Sequence, residues 1–303
     1  MDKNLLGKTV LITGGTGSLG KSLTKRILEC KPKKLIIFSR DEFKQSEMAK
    51  DFPECRYFLG DVRDVERLKQ AMDGVEYVIH AAALKQVPAL EYNPEEAIKT
   101  NVQGSMNVIA ACNSNNVEKC VFISTDKAVN PVNLYGATKL CAEKLFVAAN
   151  AYNKTEFVCV RYGNVMGSRG SVIPLFKKLR DNGIKKVPIT SPDMTRFWLT
   201  LGEAVDLVML GLTVAVGGKI LIPRAPAMKI TDVASAIIPD CEFDIIGIRP
   251  GEKLHESLIS EDTDGVCMVS LDCSAYYPWD KPYTSDMAKQ LDEDTFLTKV
   301  NHV

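Results

Sequence analysis

The chain has 303 residues, 46% of them hydrophobic, and its 38 Lys and Arg balance 38 Asp and Glu. That length suits one full core plus a smaller lobe, and the charge balance offers no basic field for nucleic acid or an anionic membrane. The nine Cys, odd in number and without C-x-x-C or Cys/His metal spacing, sit mostly inside apolar segments, as at Cys120, Cys141 and Cys159, and read as reduced core thiols.

The opening MDKNLLGKTV runs into a strand without a secretory hydrophobic region, and no apolar stretch is longer than a strand, so a soluble, cytoplasmic protein is expected. Apolar runs at Thr9 to Ile12, Leu35 to Phe38, Tyr57 to Leu59, Tyr77 to Ile79, Cys120 to Ile123 and Phe157 to Val160 read as strands covered on both faces. Helical stretches alternate with them, including one capped by Asn93 with Pro94 in its first position. This βαβα order predicts an α/β fold, a Rossmann-type doubly wound parallel sheet, with ligands at the carboxyl ends of the strands. After about Gly163 come a Gly/Ser/Arg loop (Met166 to Ser171), a basic helix near Pro174 to Asn182 and turns from Pro223 to Pro226. The expected division is a dinucleotide-binding domain over 1–165, with a stretch at about 195–222 returning to it, and a substrate lobe over most of 166–303. The polar tail after about Ser260 is the least legible part.

The first strand ends in Thr13-Gly14-Gly15-Thr16-Gly17-Ser18-Leu19-Gly20. Its glycines permit a tight turn and close backbone approach, and a helix start presents N–H groups to a pyrophosphate. A loop of this kind can also be only a glycine-rich turn; its place after the first strand of a βαβ unit favours the dinucleotide. Arg40 stands 20 residues after Gly20, where an NAD site would carry a carboxylate, and an Arg there suits a 2′-phosphate. NADP is therefore favoured, although Arg40 could be a plain surface residue and Asp41 follows it directly. Asp61 could bond an adenine. Ala81-Ala82-Ala83 would let a dinucleotide lie against the backbone, and Lys85 either reaches into the cleft or sits on a solvated loop.

The chemistry is carried by Ser124-Thr125-Asp126-Lys127, Tyr135 and Lys139. A Tyr four residues before a Lys shares its helix face, so the ammonium can lower the phenol's proton affinity, and Thr125 can fix the same substrate oxygen. Asp126 and Lys127 are surplus to hydride transfer. An extra acid and base beside a hydride site suggest that water is eliminated there, although the pair could instead only shape the strand end. His80, ending a buried strand, reads as a satisfied core residue, and His255 as ordering the loop around Glu252.

Taken together, TGGTGSLGK, SRDEFKQSEMA, GDVRD, HAAALK, STDKAVNPVNLYGATKL, RYGNVMGSRGSV, MTRFW and IGIRPGEKLHE resemble the extended short-chain dehydrogenase/reductase family. Within it they resemble the soluble inverting UDP-N-acetylglucosamine 4,6-dehydratases of pseudaminic-acid-type pathways. The likeness covers roughly residues 5 to 260. It implies NADP, a UDP-N-acetylglucosamine substrate and a homo-oligomer between dimer and hexamer, with no metal. Its active-site residues fall on Thr125, Asp126, Lys127, Tyr135 and Lys139. The cofactor set implied is Gly14, Thr16, Gly17, Ser18, Leu19, Gly20, Ser39, Arg40, Asp41, Lys44, Asp61, Val62, Ala81, Ala82, Ala83, Lys85, Asn101, Tyr135, Lys139 and Val165. Substrate contacts would fall on Lys85, Asn164, Ile173, Thr190, Met228, Arg249 and Glu252, the Arg249 guanidinium suiting a pyrophosphate. Gln86 stands where relatives often carry His, and the last forty residues depart from the family. Related membrane-anchored retaining dehydratases, and some other inverting ones, carry Met where this chain has Tyr135.

On this reading Tyr135 takes the proton of the carbon-4 hydroxyl, a neutral Lys127 takes the carbon-5 hydrogen and a protonated Asp126 releases the carbon-6 oxygen as water. The product would be UDP-2-acetamido-2,6-dideoxy-β-L-arabino-hexos-4-ulose. A UDP-sugar 4-epimerase or 4-keto reductase would share Tyr135, Lys139 and Thr125 without needing Asp126 and Lys127. A non-catalytic NADP-binding sensor is the alternative from another class.

Overall fold

A computed structural model describes residues 5–152, 154–168, 171–261, 263, 265–270 and 276–301. Arg169 and Gly170, in the loop expected over Met166 to Ser171, lie outside the described residues. The first half alternates strand and helix: β1 Thr9–Thr13, α1 Ser18–Glu29, β2 Lys34–Ser39, α2 Glu42–Asp51, β3 Arg56–Leu59, α3 Val65–Ala71 and β4 Tyr77–His80. Next come the short helices α4 Val87–Tyr92 and α5 Pro94–Ala97, a π-helical turn at Ile98–Gln103, α6 Gly104–Ser114 and β5 Lys119–Ile123. A 3-10 turn at Asp126–Ala128, α7 Leu134–Ala149 and β6 Glu156–Val160 complete this half. The second half contains β7 Asn164–Val165, α8 Val172–Asp181, β8 Lys186–Ile189, β9 Thr195–Leu199, α9 Leu201–Thr213, β10 Ile220–Pro223, β11 Ala227–Lys229 and α10 Ile230–Ile237. It ends with β12 Glu242–Ile245, β13 Ser257–Ile259, β14 Val266–Val269, β15 Tyr276–Pro278, β16 Tyr283–Thr284 and α11 Glu293–Asn301.

The main sheet runs β15-β14-β10-β6-β5-β4-β1-β2-β3 and is parallel except where β15 joins β14. Its β3-β2-β1-β4-β5-β6 portion is the doubly wound order expected of the βαβα pattern. The chain leaves β1 toward β2 on one side and returns as β4 on the other, so a crevice opens above the carboxyl ends of β1 and β4. β3 departs from the expected burial: it is an edge strand, and Arg56 and Leu59 are exposed. Asn93 does not cap α5 with its side chain; its amide instead donates to Ala89 O, while Pro94 does occupy the first position. The stretch beginning at Pro223 is not purely a turn, because Pro223 ends β10 inside the sheet. The tail beyond Ser260 supplies β14 and β15, whose apolar run Val266–Val269 is too short to stand out by periodicity.

Two hydrophobic clusters organise the interior. The larger spans both faces of the sheet, with Phe122 stacked on Phe146 at 4.6 Å and Phe146 edge-on to Phe157 at 5.6 Å. Rings of this size bury 150–250 Å² each and dominate core energetics. The smaller joins Ile173, Phe176, Ile189, Trp198, Val233 and Phe296 from α8 through α11. Cys120 and Cys159 are buried as expected, but Cys141 is exposed on α7. Among the described residues no helix is long and apolar enough to cross a membrane.

Candidate active site

One cleft of about 810 Å³ runs along the carboxyl ends of β1, β2, β4 and β5. At one end the glycine loop sets its floor. Gly14 has φ +68°, and a Cβ there would meet Ala82 Cα at 2.8 Å; a Cβ on Gly20 would lie 2.2 Å from Gly15 O. Only glycine satisfies both, so the backbone is left bare for a ligand to approach. Gly17 caps α1 with no side-chain hydrogen bond, which leaves the helix start to an incoming anion. The cavity size, bare backbone and helix terminus fit a dinucleotide. At the rim, Arg40 and Arg63 reach Asp61 Oδ2 at 3.4 and 2.8 Å, and Asp61 lines the cleft. Asp41 caps α2 by accepting from Lys44 N at 2.9 Å and also pairs with Lys44 Nζ.

Of the expected cofactor set, all but Asn101 line this cleft. Asn101 lies in the π-helical turn, where its amide group bonds Leu84 N and Leu84 O at 2.9 Å each and Thr138 at 3.1 Å. It clamps the β4 loop to α7 from behind.

At the other end, the first turn of α7 presses on the 3-10 turn. Asn133 caps α7 by accepting from Gly136 N at 2.8 Å, and a Cβ on Gly136 would lie 2.1 Å from Lys127 O. Glycine after Tyr135 thus brings the phenol over Asp126 and Lys127. Thr125, Asp126, Lys127, Tyr135 and Lys139 all line the cleft. Asp126 is fully buried; its Oδ1 accepts from Thr125 Oγ1 at 2.9 Å and Lys127 Nζ at 3.0 Å, while Oδ2 has no partner. Burial and the nearby Glu256 charge raise the Asp126 carboxyl despite the opposing pull of Lys127, which favours the acid form.

Two sequence expectations need correction here. Burial would lower the Lys127 ammonium, but Asp126 and Glu256 outweigh it and hold Lys127 above the ordinary lysine value, the opposite direction to the neutral amine expected. Nor does Lys139 hold the phenol down. Its Nζ donates to Ile123 O and sits 3.9 Å from the centre of the Phe122 ring, and burial lowers it to about 7 despite Glu143 and Cys159. Burial pushes Tyr135 up to about 12; the opposing pulls come from Lys127 and the Thr125 hydroxyl.

Glu256, overlooked in the sequence, is buried and places Oε1 3.2 Å from Lys127 Nζ. It stands four residues after Glu252 in GEKLHE, where the family likeness pointed to Glu252 alone. Ser124, which opens the Ser124-Thr125-Asp126-Lys127 group but was given no role of its own, lines the cleft with a buried, unpartnered Oγ.

The expected substrate set divides. Lys85 and Asn164 line the cleft, but Ile173, Thr190, Met228, Arg249 and Glu252 do not. Ile173 and Met228 are buried in the smaller cluster, Thr190 Oγ1 donates to Met194 Sδ, and Arg249 lies beside Glu252 on an exposed loop. That loop is anchored to α7 by Asn133 Nδ2 donating to Gly251 O at 2.8 Å. His80 is a satisfied core residue between Thr13 and Ser105, and burial lowers it to about 3. His255 Nδ1 pairs with Thr195 Oγ1 at 2.8 Å, tying its loop to β9.

Residues 10–271 match the polysaccharide biosynthesis protein family. The inverting UDP-N-acetylglucosamine 4,6-dehydratase of Campylobacter jejuni subsp. jejuni is 60% identical over 261 residues, covering 84% of this chain and 78% of that relative. The UDP-glucose 4-epimerase of Rickettsia bellii is 45% identical over 269 residues, covering 84% and 78%. Among solved structures, Pen from Bacillus thuringiensis superposes with a TM-score of 0.89 at 35% identity, covering 98% of each chain. With a Rossmann sheet, a glycine-lined cleft and a Thr125, Tyr135 and Lys139 constellation, this chain belongs to the polysaccharide biosynthesis protein family.

Proposed function

We propose that the protein is an NADP-dependent UDP-N-acetylglucosamine 4,6-dehydratase that inverts carbon 5, yielding UDP-2-acetamido-2,6-dideoxy-β-L-arabino-hexos-4-ulose. The observation that carries this reading is the ion pair of buried Asp126 with partly exposed Lys127 beside Tyr135, with Asp126 Oδ2 unpartnered at the cleft. Hydride transfer alone needs neither residue. The 60% identity to a relative of that name supports the same choice.

A bound nicotinamide supplies a hydride acceptor at carbon 4, a hydride donor at carbon 6 and positive charge beside the phenol. Tyr135 takes the proton of the 4-hydroxyl, and the Lys127 ammonium and Thr125 hydroxyl favour its phenolate. Asp126, whose carboxyl burial pushes up, donates to the carbon-6 oxygen as that bond breaks. NADP is favoured over NAD because Arg40 and Lys44 line the rim, while Asp41, the carboxylate next to Arg40 in sequence, caps α2. The residues packed around the smaller cluster form the lobe that receives the nucleotide-sugar, in a cytoplasmic homo-oligomer.

The test is mass spectrometry of purified protein incubated with UDP-N-acetylglucosamine and NADP without reductant. Loss of one water from the sugar nucleotide is expected. The 45% identity to a relative named a 4-epimerase keeps that reading in view. Recovery of unchanged mass with a new 4-epimer would favour it and overturn the dehydratase assignment.

A further inference from the structure

A line of buried polar groups runs behind the cleft from its dinucleotide end to its acid–base end. Ala82 N donates to Thr13 Oγ1 at 3.3 Å, and Thr13 Oγ1 lies 2.7 Å from His80 Nδ1. Across the ring, His80 Nε2 lies 3.3 Å from Ser105 Oγ, which donates to Asn101 O at 2.6 Å. Asn101 Nδ2 donates to Thr138 Oγ1 at 3.1 Å, and Thr138 Oγ1 donates to the carbonyl of Tyr135 at 2.8 Å. Thr13, His80, Ser105, Asn101 and Thr138 are all buried, and none of them lines the cleft.

Counting hydrogens fixes the direction of the line. Ser105 has a single hydroxyl hydrogen and commits it to Asn101 O, so it accepts from His80, and Nε2 carries the ring hydrogen. Burial keeps the imidazole neutral, which leaves Nδ1 bare to accept from Thr13. Each member therefore donates to the next, and bonds ordered head to tail in a dry interior strengthen one another. Beside the Phe122 and Phe146 rings an apolar side chain would meet no desolvation cost; the imidazole instead accepts on one side and donates on the other, which joins β1 to α6. The Ser105 bond reaches back into the π-helical turn and fixes Asn101, whose amide also holds both polar backbone groups of Leu84. We propose that Thr13 and His80 are positioning residues for hydride transfer, acting through Ser105, Asn101 and Thr138 to hold Tyr135 in register with the dinucleotide loop that follows Thr13. The inference rests on the carbon-4 oxidation step of the proposed function and extends it to residues outside the cleft lining.

The test is a double-mutant cycle on Thr13→Val and Thr138→Val, which cut the line near its two ends while keeping side-chain shape. The reduced-nicotinamide burst with UDP-N-acetylglucosamine reports carbon-4 oxidation, and calorimetry reports NADP affinity. Each single variant should slow the burst about 10- to 100-fold while the NADP Kd stays within about threefold of wild type. The double variant should be no slower than the slower single one, because a line already cut has nothing further to lose. Thr13→Ser and Thr138→Ser, which keep the hydroxyl, should restore most of the rate. An unchanged burst overturns the inference, and so do losses that multiply in the double variant. A fall in rate matched by an equal loss of NADP binding overturns it too, marking a merely structural role. If Thr13→Val does not fold, Ser105→Ala takes its place in the cycle with the same outcomes expected. A wild type that does not oxidise carbon 4 overturns the functional reading itself, whereas an active wild type with indifferent Val variants overturns this inference alone.

Discussion

The two ends of the cleft are built on different plans. The dinucleotide end comes from contiguous strand, loop and helix segments, and its working surface is largely backbone exposed by Gly14, Gly20 and Ala82. The acid–base end is assembled from segments far apart in sequence: Thr125 to Lys127, Tyr135 to Lys139, Arg196 and Lys253 to Glu256. Many small contacts spread the work at the first end, whereas a few buried charges concentrate it at the second. Single substitutions should therefore cost far more chemistry at the second end than binding at the first.

Tyr135→Phe should have the largest effect, lowering turnover about 10³-fold while NADP binding, followed by calorimetry, is retained. Asp126→Asn should slow water loss about 10²-fold but leave carbon-4 oxidation running, so 4-keto sugar or its 4-epimer accumulates by NMR. Such a variant would move this chain's chemistry toward that named for its epimerase-like relatives. At the other end, Gly14→Ala forces a side chain into a positive-φ position against Ala82 and should cost about 1–3 kcal/mol in urea unfolding. Weaker cofactor binding should accompany it.

Lys139 joins the two ends, and its pH response is distinctive. Its folded value of about 7 lies below the ordinary 10.5, so between these values the unfolded chain binds more protons and stability rises with pH. The destabilisation from burying this lysine is full below pH 7 and relieved toward pH 10.5, with a slope of up to about 1.4 kcal/mol per pH unit. Lys139→Met should lack that slope in denaturant titrations. The smallest effect is expected at the rim, where Arg40→Ala should weaken NADP about tenfold, or roughly 1.4 kcal/mol, with little change for NAD.

The same contrast explains what could be read from the sequence. The six leading strands were legible because each is a short apolar run between helices, and the glycine loop because its function lies in its own spacing. Tyr135 and Lys139 were legible for the same local reason. The charge state of Lys127 was not, because Glu256 reaches it only through the fold. The role of Asn101 depends on a π-helical turn that no periodicity announces. Arg249 and Glu252 were placed by family likeness, and here they sit beside each other on an exposed loop rather than in the cleft.

The most direct test of water elimination at the acid–base end is a proton NMR time course with UDP-N-acetylglucosamine and NADP in deuterated water, without reductant. A new methyl signal, deuterium at carbon 5 and couplings of the inverted 4-keto-6-deoxy sugar are the expected result. Recovered substrate or a simple 4-epimer, with no methyl signal, would contradict the roles given to Asp126 and Lys127.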